Sequence, residues 1–561
     1  MTVPKPPAAT TATMPEPSEL AGRASRGAGA LRVTSWLIAV LLLLGAATAA
    51  VNNVSYTGMW WDETTCFWGS QGLAKYVRPF APPGGLREVV VLNRYESLDP
   101  GGFTVLLHFW TRAGTGLAWL RSLPFAFFLL GAACLGLLGW RLTGSSGAAL
   151  AAAAVPMLYP AALYFAFEIR AFSMEMAGVA VGALGLVMAM ERPSTARLAL
   201  LGVVCAAFLS SRYSYALFAA GLCLAAFTGL VRHGIGVVAA TRRMLALVAP
   251  LAAAGAGIVA VTLRHQVWPE MHGGALGLTS PVYTRAAVLG EGTGGTGLLA
   301  TNLVSAAALP ITVAIAFFLL LRRYLNRALA PRGGGERPGD RLGLISSLYV
   351  LVLAVQGISV IVSLLGWYPW NIGSRWSAYL VMVSAVAAVA LGSDAVLLCR
   401  LALDRWVLGS AVRGAIACLG VVPVLVLAVV AIDRATGHVQ LMETSHRTNV
   451  APQIDRLPIA TLEPRSVFVA FYEVPVLRYL YEHGPYKDRA EYPRVYRFEK
   501  GSEWRAKLPI DARREGLRYL VSALPAEDVA ARFPAVPVAR VGPAGSRLRA
   551  FVANSAGEVS P

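Results

Sequence analysis

The chain has 561 residues, of which 56% are hydrophobic and 14% are charged, and its formal net charge is +18 at pH 7. So large an apolar fraction exceeds what a soluble protein of this length contains, which excludes an ordinary soluble fold. Much of the excess positive charge lies in short connections between apolar blocks, and no basic stretch alternates with aromatic residues as in single-strand binders. The charge therefore indicates membrane orientation rather than nucleic-acid binding.

Residues 1–32 precede the first apolar block and are rich in Pro, Ala, Thr and Ser. A segment with so few large apolar side chains cannot bury enough surface to fold, so we predict a disordered cytoplasmic tail. A cleaved signal peptide fits poorly because the following apolar stretch begins late and is long. The six cysteines include no CxxC pair, which gives no support to a disulfide framework or a zinc site.

Eleven apolar blocks follow, and most have the roughly 18–24 residues that a helix needs to cross about 30 Å of hydrocarbon. Because a segment in lipid must satisfy its own backbone hydrogen bonds, we predict an all-α polytopic membrane domain over 33–432 with about 11 transmembrane helices. The blocks lie at 33–51, 122–141, 147–166, 171–190, 197–210, 213–231, 244–263, 298–321, 343–365, 377–398 and 411–432.

Arginine-rich connections between the blocks set the predicted orientation. They occur around Arg192, Arg242, Arg322 and Arg400, and the positive-inside rule places them in the cytoplasm. With a cytoplasmic N-terminus, an odd number of crossings puts the C-terminus outside a bacterial inner (plasma) membrane. The outer connections are then 52–121, 167–170, 211–212, 264–297, 366–376 and the segment after 432.

The apolar stretch Gly102–Trp110 is too short for a full span. A crossing there would also invert every later loop. We therefore interpret it as a half-helix or re-entrant element on the outer side, which is tolerable where protein or a water-filled cavity surrounds it. A full crossing over 102–119 stays open as the alternative.

The composition becomes charged after Asp433, and short strand-like runs alternate with helical patterns. The strand-like runs lie at 467–472, 517–522 and 548–552, and the helical patterns at 474–482 and 526–533. This alternation predicts a small extracytoplasmic α/β domain over 433–561.

The predicted topology brings polar residues from separated parts of the sequence to the outer face. Ionisable groups near lipid are costly and usually face a cavity or a partner, so their convergence predicts a functional site. They are Asp62, Glu63, Asp99, Arg121, Glu168, Arg170, Arg212, Tyr213 and Arg375.

This mixture of residue types has a chemical meaning. One or two carboxylates suit a general base or a metal site, and several arginines suit a phosphate because the guanidinium fork matches its oxygens. A carboxylate base, an arginine-held phosphate and a membrane location together indicate sugar transfer from a lipid phosphate.

Four motifs in chain order carry a family resemblance. They are Trp61-Asp62-Glu63, Leu120-Arg121-Ser122-Leu123-Pro124, Glu168-Ile169-Arg170-Ala171-Phe172-Ser173 and Arg375-Trp376. Over residues 33–400 the chain resembles the GT-C glycosyltransferases, in particular the protein O-mannosyltransferase and aminoarabinose-transferase-like branch. Phe172 and Trp376 stand where that family usually has Tyr, and Asp99-Pro100-Gly101-Gly102 replaces its usual Pro-Pro, so donor and acceptor identity stay open.

The resemblance implies a polyprenyl-phosphate-sugar donor, transfer to a hydroxyl of a glycan, lipid or protein, and inversion at the anomeric carbon. It implies Asp62 as general base and Glu63 as a residue that orients this base or shares a proton or a metal with it. Arg121, Arg170 and Arg375 would bind the donor phosphate. The family's long outer loop corresponds to 264–297, with His265, Glu270 and His272.

The remaining candidates are substrate-binding or metal-assisting, namely Asp99, Glu168, Arg212, Tyr213, His265 and Glu270. The need for a metal is open: Asp62, Glu63, Asp99 and Glu168 could offer oxygen ligands to Mg²⁺ or Mn²⁺, but their spacing does not demand it. The histidines of 264–297 match no zinc-ligand spacing.

Structural interpretations of the same residues compete with this one. Asp62 and Glu63 could be solvated loop charges or an acidic helix start, and the arginines could be interface anchors. The rival functions are a lipid-linked glycan transporter or flippase, a non-catalytic cell-envelope scaffold, and a polymerase or ligase of similar topology.

Overall fold

The structure is a computed structural model, and it describes residues 45, 59, 61–74, 81–97, 99–267, 308–328, 339–365, 378–405, 466–470, 474–483, 494–497, 519–522 and 549–552. The first and last predicted spans, 33–51 and 411–432, lie almost wholly outside these residues, as does most of the outer loop 264–297.

The described part of the membrane domain consists of helices. Its first seven are α1 (Trp61–Ser70), α2 (Leu86–Glu96), α3 (Gly102–Thr111), α4 (Leu117–Thr143), α5 (Ser146–Ala154), α6 (Pro160–Phe167) and α7 (Phe172–Glu191). The next six are α8 (Thr195–Leu209), α9 (Tyr215–Arg232), α10 (Val237–Ile258), α11 (Ala308–Ala328), α12 (Gly339–Leu364) and α13 (Ala378–Arg405). A π-helical turn (Val259–Leu263) and a short α-helical turn (Arg264–Val267) continue α10.

Among the described residues, six helices are long and apolar enough to cross a membrane. They contain Leu117–Thr143, Phe172–Glu191, Tyr215–Arg232, Val237–Gln266, Arg341–Val362 and Ala378–Leu398. The predicted multi-pass membrane protein is thereby confirmed. The number of eleven spans and the orientation stay predictions, and Thr195–Leu209 has only 15 residues.

The predicted span 147–166 is broken into two pieces. Ser146–Leu158 and Ala161–Phe167 meet at an angle of 83°. Pro156 and Pro160 flank the break, and Pro160 opens α6 at its first turn, where a missing N–H costs nothing. The two helices count as one bent span or as a re-entrant element, and the chain after α6 enters the Glu168–Ala171 turn that precedes α7.

The core of the bundle forms where α4, α7, α9, α12 and α13 pack on one another. Close approach depends on small residues at several crossings: a Cβ on Gly202 of α8 would lie 2.5 Å from the Leu247 carbonyl oxygen of α10. Small residues at such crossings let helix backbones pack without a hydrophobic driving force from water.

The short apolar stretch forms helix α3 with the length of a half-helix, and its re-entrant placement in the membrane stays a prediction. Ten residues rise about 15 Å, half the thickness of the hydrocarbon core. The chain then turns into α4, and the turn is closed by the stacked rings of Trp110 and Trp119, 4.5 Å apart. Each indole N–H donates to the backbone carbonyl of the other residue at 2.9 Å. Helix α3 packs against α1, α2 and α4.

A four-stranded sheet is described in the C-terminal segment, with the order β2-β1-β3-β4. Its strands are β1 (Ser466–Ala470), β2 (Arg494–Arg497), β3 (Tyr519–Ser522) and β4 (Arg549–Val552). Strand β1 is parallel to β2 and β3, and β3 is antiparallel to β4. Helix α14 (Val474–Glu482) lies between β1 and β2 in the sequence, as a parallel crossover requires.

These elements overlap the three predicted strand runs and the first predicted helix of this segment, while the helix predicted at 526–533 lies outside the described residues. Helix α14 packs against α1: Phe67 and Tyr479 meet edge-to-face at 5.2 Å. The C-terminal helix is therefore at the same end of the bundle as Asp62 and Glu63. Whether that end is extracytoplasmic stays a prediction.

Candidate active site

The acidic pair opens helix α1. Asp62 and Glu63 lie in its first turn, where the helix dipole favours negative charge. Both are buried, with exposed fractions of 8% and 1%, so they are not solvated loop charges. Buried carboxylates are costly without partners, and each has its own arginine.

Asp62 pairs with Arg170 from the turn between α6 and α7. Its Oδ2 lies 2.7 Å from Nη1 of Arg170, while Nη2 of the same guanidinium lies 3.4 Å from Oδ2 of Asp99. The other oxygen of Asp99 is 3.5 Å from Nε of Arg212. Two carboxylates and two guanidinium groups thus alternate in one chain of contacts, and they come from four separate places in the sequence.

Phe172 supports both guanidinium groups. The Arg170 carbon Cζ lies 5.2 Å and the Arg212 carbon Cζ 4.4 Å from the centre of its fully buried ring. An aromatic face attracts a cation without offering it a hydrogen bond, so the N–H groups stay directed at anions. A phenyl ring is enough for this role, which accounts for Phe at a position where the related motif has Tyr.

Glu63 faces a different neighbourhood from Asp62. Consecutive helical residues point about 100° apart, and Glu63 is directed towards Arg121, whose Nη2 is 3.5 Å from Oε2. The backbone N–H of Ile169 donates to Oε1 at 3.1 Å. Glu63 and Arg121 therefore fix α1 to α4 and to the Glu168–Ala171 turn.

A cavity of about 160 Å³ lies beside this network. Its lining is made by α1, α2, α3 and the turns before α7 and α9, and includes polar and charged groups on one side and Leu92, Phe103 and Phe172 on another. The polar and charged lining residues are Asp62, Thr65, Cys66, Asn93, Ser97, Asp99, Thr104, Arg170, Ser211 and Arg212. Glu63, Arg121 and Glu168 do not line it.

Backbone contacts hold Asp99 in place. The amide of Asn93 donates to the Asp99 carbonyl at 2.9 Å, and Gln266 donates to the carbonyls of Asn93 and Asp99 at 2.9 and 3.3 Å. The hydroxyl of Tyr213 donates to Gln266 Oε1 at 2.7 Å. Tyr213 thus acts on the cavity through Gln266, not by lining it.

Two glycines allow this arrangement. Gly101 has φ of 101°, and a Cβ there would lie 2.6 Å from the amide nitrogen of Asn93. Gly102 donates its N–H to the Ser210 carbonyl at 2.9 Å, and a Cβ would overlap the Ser210 side chain. Gly101 is therefore required by its left-handed backbone and by Asn93 of α2, and Gly102 by the close contact of α3 with the turn after α8.

The cavity environment sets the protonation of its neighbours. Burial by itself lowers the pKa of Arg170, but Asp62, Asp99 and Glu168 together raise that pKa above its ordinary value. Burial raises the pKa of the Cys66 thiol to about 12 and that of the Tyr213 phenol to about 12. Cys66 is therefore a neutral thiol at pH 7 and is poorly suited to act as a nucleophile.

The other predicted site residues divide into three groups. Glu168 is buried at 2% exposed and its charge acts on Arg170, but it lies outside the cavity wall. His265 lies in the turn that ends α10, is half-buried, does not line the cavity, and receives a hydrogen bond from Arg264 at 3.2 Å. Arg375 and Glu270 lie outside the described residues.

The four carboxylates offered as metal ligands are not grouped around a common point. In the described parts of the chain, no three His, Cys, Asp or Glu side chains are placed to hold a metal ion. Arg170 bridges Asp62 and Asp99, and Glu63 is directed at Arg121. A site built from Asp62, Glu63, Asp99 and Glu168 is therefore corrected to an arginine-bridged pair of carboxylates.

Sequence reasoning missed Glu175. It is fully buried, lies 3.9 Å from Nε of Arg212, and accepts a short hydrogen bond from Ser214. Placing a carboxylate inside the apolar block 171–190 is energetically costly, so Glu175 could have been predicted from the sequence as a site residue. Asn93 and Gln266 carried no comparable signal because neutral amides are common in loops and at helix ends.

Comparison with solved structures shows the architecture. The chain superposes on ArnT from Cupriavidus metallidurans bound to undecaprenyl phosphate with a TM-score of 0.50 and 14% identity, over 94% of this chain and 99% of that chain. The chain has a GT-C-type fold. This likeness shows the fold alone, so membership of the expected superfamily and of its branch stays a prediction. The apo state of the same ArnT gives a TM-score of 0.48 and 13% identity, again over 94% and 99%.

Comparison by sequence gives no match. No protein-family model matches the chain, and no curated protein is significantly similar to it in sequence.

Proposed function

We propose that the protein is an integral membrane glycosyltransferase that moves a sugar from a polyprenyl-phosphate donor to an acceptor hydroxyl, with inversion. The observation that carries the proposal is the Asp62–Arg170 contact of 2.7 Å at the wall of a cavity. In this proposal Asp62 is the proton acceptor and Arg170, in contact with it, is the phosphate-binding group. The fold supports the proposal, since a GT-C-type protein of the same architecture has been crystallised with undecaprenyl phosphate.

Asp62 is the proposed general base. The acceptor hydroxyl gives its proton to the Asp62 carboxylate as its oxygen attacks the anomeric carbon. The bond from that carbon to the lipid phosphate oxygen breaks, and the lipid phosphate leaves from the opposite face with the electron pair. A positioned base typically contributes about 10²–10⁴-fold to the rate.

Arg170 is the proposed first phosphate ligand. A guanidinium has five N–H donors, and the contacts to Asp62 and Asp99 occupy only one or two of them. The others can bind a phosphate oxygen without breaking the carboxylate bridge. Negative charge grows on the phosphate as the bond breaks, so a fixed cation stabilises the transition state more than the ground state.

The charge balance of the cavity supports a role for Arg375. In the contacts described above, the two arginines Arg170 and Arg212 already face three carboxylates, Asp62, Asp99 and Glu175. A lipid phosphate then adds a negative charge that these residues do not neutralise. We propose that Arg375, predicted at the same membrane face, supplies the additional positive charge.

Glu63 and Arg121 are proposed as positioning residues rather than direct ligands. Their ion pair holds the start of α1 against α4 and against the Ile169 amide. A shift of this pair would move Asp62 relative to Arg170 and change the geometry of attack.

The test measures transfer from a radiolabelled polyprenyl-phosphate sugar by full-length protein in nanodiscs. Asp62→Asn should lower turnover by at least about 100-fold, since the amide cannot accept the proton. Glu88→Gln is the matched control because Glu88 is exposed, lies at the same end of the molecule, and keeps its cap to Gly85 through the amide oxygen. Transfer that survives Asp62→Asn would show that the base is assigned wrongly, and a wild-type protein inactive on every polyprenyl-phosphate sugar would refute the donor class.

A flippase or transporter is the second candidate function. The observation that favours it is Asp394, which is fully buried inside the span Ala378–Leu398 and accepts a hydrogen bond from the Tyr349 hydroxyl at 2.7 Å. Ionisable groups at such positions often mark transport paths. Lipid-linked sugar flipping in proteoliposomes that is lost in Asp394→Asn and kept in Asp62→Asn would favour this function.

A further inference from the structure

A second cavity lies at the other end of the bundle from Asp62. It has a volume of about 590 Å³ and is formed where α4, α7 and α9 end and α12 begins. Along α4, about twenty residues separate Arg121 beside Glu63 from Arg141 at this cavity. At 1.5 Å per residue that distance is about 30 Å, so the two cavities lie near opposite faces of a bilayer.

Basic side chains dominate the wall of this second cavity. Arg141, Arg192, His233 and Arg341 line it, and the one acidic residue there, Glu191, is paired with Arg141 at 3.2 Å. Within the described parts of the chain, Arg192 and Arg341 have no ion pair. Two guanidinium groups therefore face one cavity with their charge unneutralised by described residues.

The residues around the cavity combine an exposed tryptophan, arginines and apolar side chains. Trp140 lines it with 48% of its surface exposed, and the Arg141 carbon Cζ lies 5.7 Å from the centre of its ring. Tryptophan of this kind favours the boundary between hydrocarbon and water. Met190 and Leu344 add an apolar part to the wall. A phospholipid offers the same combination, an anionic phosphate above an apolar tail.

The simpler explanation is that these arginines only anchor helix ends in the cytoplasmic interface. Anchors of that kind extend separately into water. Here four elements direct their basic residues at one concave site, and Arg341 lies against the cap residue of α4, Gly144. Basic pockets between transmembrane helices are suited to anionic lipid headgroups.

We propose that this cavity binds the phosphate of an anionic phospholipid, with Arg192 and Arg341 as its charged ligands. The lipid connects the end of α7 to the start of α12 and so stabilises the bundle from the face opposite the catalytic cavity. This inference is independent of the glycosyl transfer proposed above, because none of its residues lines the cavity of Asp62.

Binding is measured on purified full-length protein in phosphatidylcholine nanodiscs doped with phosphatidylglycerol, by native mass spectrometry and thermal unfolding. The probes are phosphatidylglycerol, phosphatidylcholine alone, and inorganic phosphate. Each arginine removed should weaken phosphatidylglycerol binding about fivefold, which corresponds to about 1 kcal/mol per basic residue near an anionic headgroup. The double variant Arg192→Gln/Arg341→Gln should therefore lose most of the lipid-dependent rise in unfolding temperature.

The matched control is Arg232→Gln/Arg242→Gln. Both residues are exposed near the same end of the bundle and neither lines the cavity. If both double variants lose affinity equally, general surface electrostatics explains the binding and the site is refuted. An equal rise in unfolding temperature with inorganic phosphate would instead show a site for free anions. The same rise in phosphatidylcholine alone would refute the role assigned to the charges of Arg192 and Arg341. The single variant Arg192→Gln, with unfolding in phosphatidylcholine as reference, separates lost binding from lost folding.

Discussion

Replacing Arg170 tests the central contact of the cavity that Asp62 lines. Arg170→Met removes the cation between Asp62 and Asp99, whose oxygens lie 2.7 and 3.4 Å from its two terminal nitrogens. Breaking a buried ion pair costs about 3–5 kcal/mol, whereas an exposed pair contributes about 1 kcal/mol or less. The Arg170 side chain is 16% exposed, so we expect a loss of about 3 kcal/mol in the free energy of unfolding.

The expected loss has a specific source, which a double-variant cycle can isolate. Arg170→Met leaves two carboxylates together, and Asp99→Asn then removes one of the two like charges. The double variant should therefore be more stable than the sum of the single losses predicts, by about 1–3 kcal/mol. Arg170→Lys should fall between wild type and Arg170→Met, because one ammonium cannot span both carboxylates as the guanidinium fork does.

The measurement is the free energy of unfolding by SDS titration in zwitterionic lipid, together with the transfer rate. Arg141→Met serves as the control, because its pair with Glu191 is 41% exposed on the arginine side and should cost about 1 kcal/mol or less. Additive losses within about 0.5 kcal/mol for Arg170→Met and Asp99→Asn would refute the bridge. A stable Arg170→Met protein with normal transfer would refute the assigned phosphate role as well.

Three further predictions concern packing and protonation around the same cavity. Gly102→Ala should cost about 1–3 kcal/mol and lower transfer because its methyl group overlaps the turn after α8, whereas Gly116→Ala, with open space, should fold normally. Maleimide should label Cys66 slowly at pH 7 and about tenfold faster per pH unit towards its pKa of about 12, since only the thiolate reacts; rapid labelling at pH 7 would contradict this. Tyr479→Phe should cost about 1 kcal/mol and raise protease cleavage near α14, because the hydroxyl no longer reaches the α3–α4 turn at 2.9 Å.

The membrane domain was largely predictable from the sequence because long apolar segments are a clear mark of membrane-spanning helices. The lengths of the apolar segments and the positive charge of every second connection are enough to locate the spans. Counting the crossings between the connections then puts Asp62, Asp99, Arg170 and Arg212 at the same end of the bundle. The structure places these four around one cavity. Their roles in catalysis remain predictions, since geometry gives proximity and not reactivity.

Helix rotation could not be predicted from the sequence, and it decides which member of the acidic pair faces the cavity. Adjacent residues of a helix diverge by about 100°, so one of Asp62 and Glu63 must turn away. Only the contacts of Glu63 with Arg121 and the Ile169 amide show which one does. The bend within 147–166 could have been predicted from Pro156 and Pro160, because proline interrupts a helix. A count of apolar residues does not take these prolines into account. Gly101 and Gly102 depart from the motif in the sequence, and the structure explains both: Gly101 has a left-handed backbone beside Asn93, and Gly102 contacts Ser210 in the turn after α8.

Helix α14 connects the C-terminal segment to the end of the bundle where Asp62 lies. Arg478 is 1% exposed, its Nε donates to Glu482 at 2.7 Å, and its guanidinium carbon lies 3.9 Å from the centre of the Trp68 ring in α1. A cation buried at this cost is held by the ring and the carboxylate together, so α14 cannot leave α1 without exposing both. Because Asp62 stands on the same helix as Trp68, the position of the proposed base depends on a segment more than four hundred residues away. The C-terminal segment thus contributes to the geometry of the cavity that Asp62 lines.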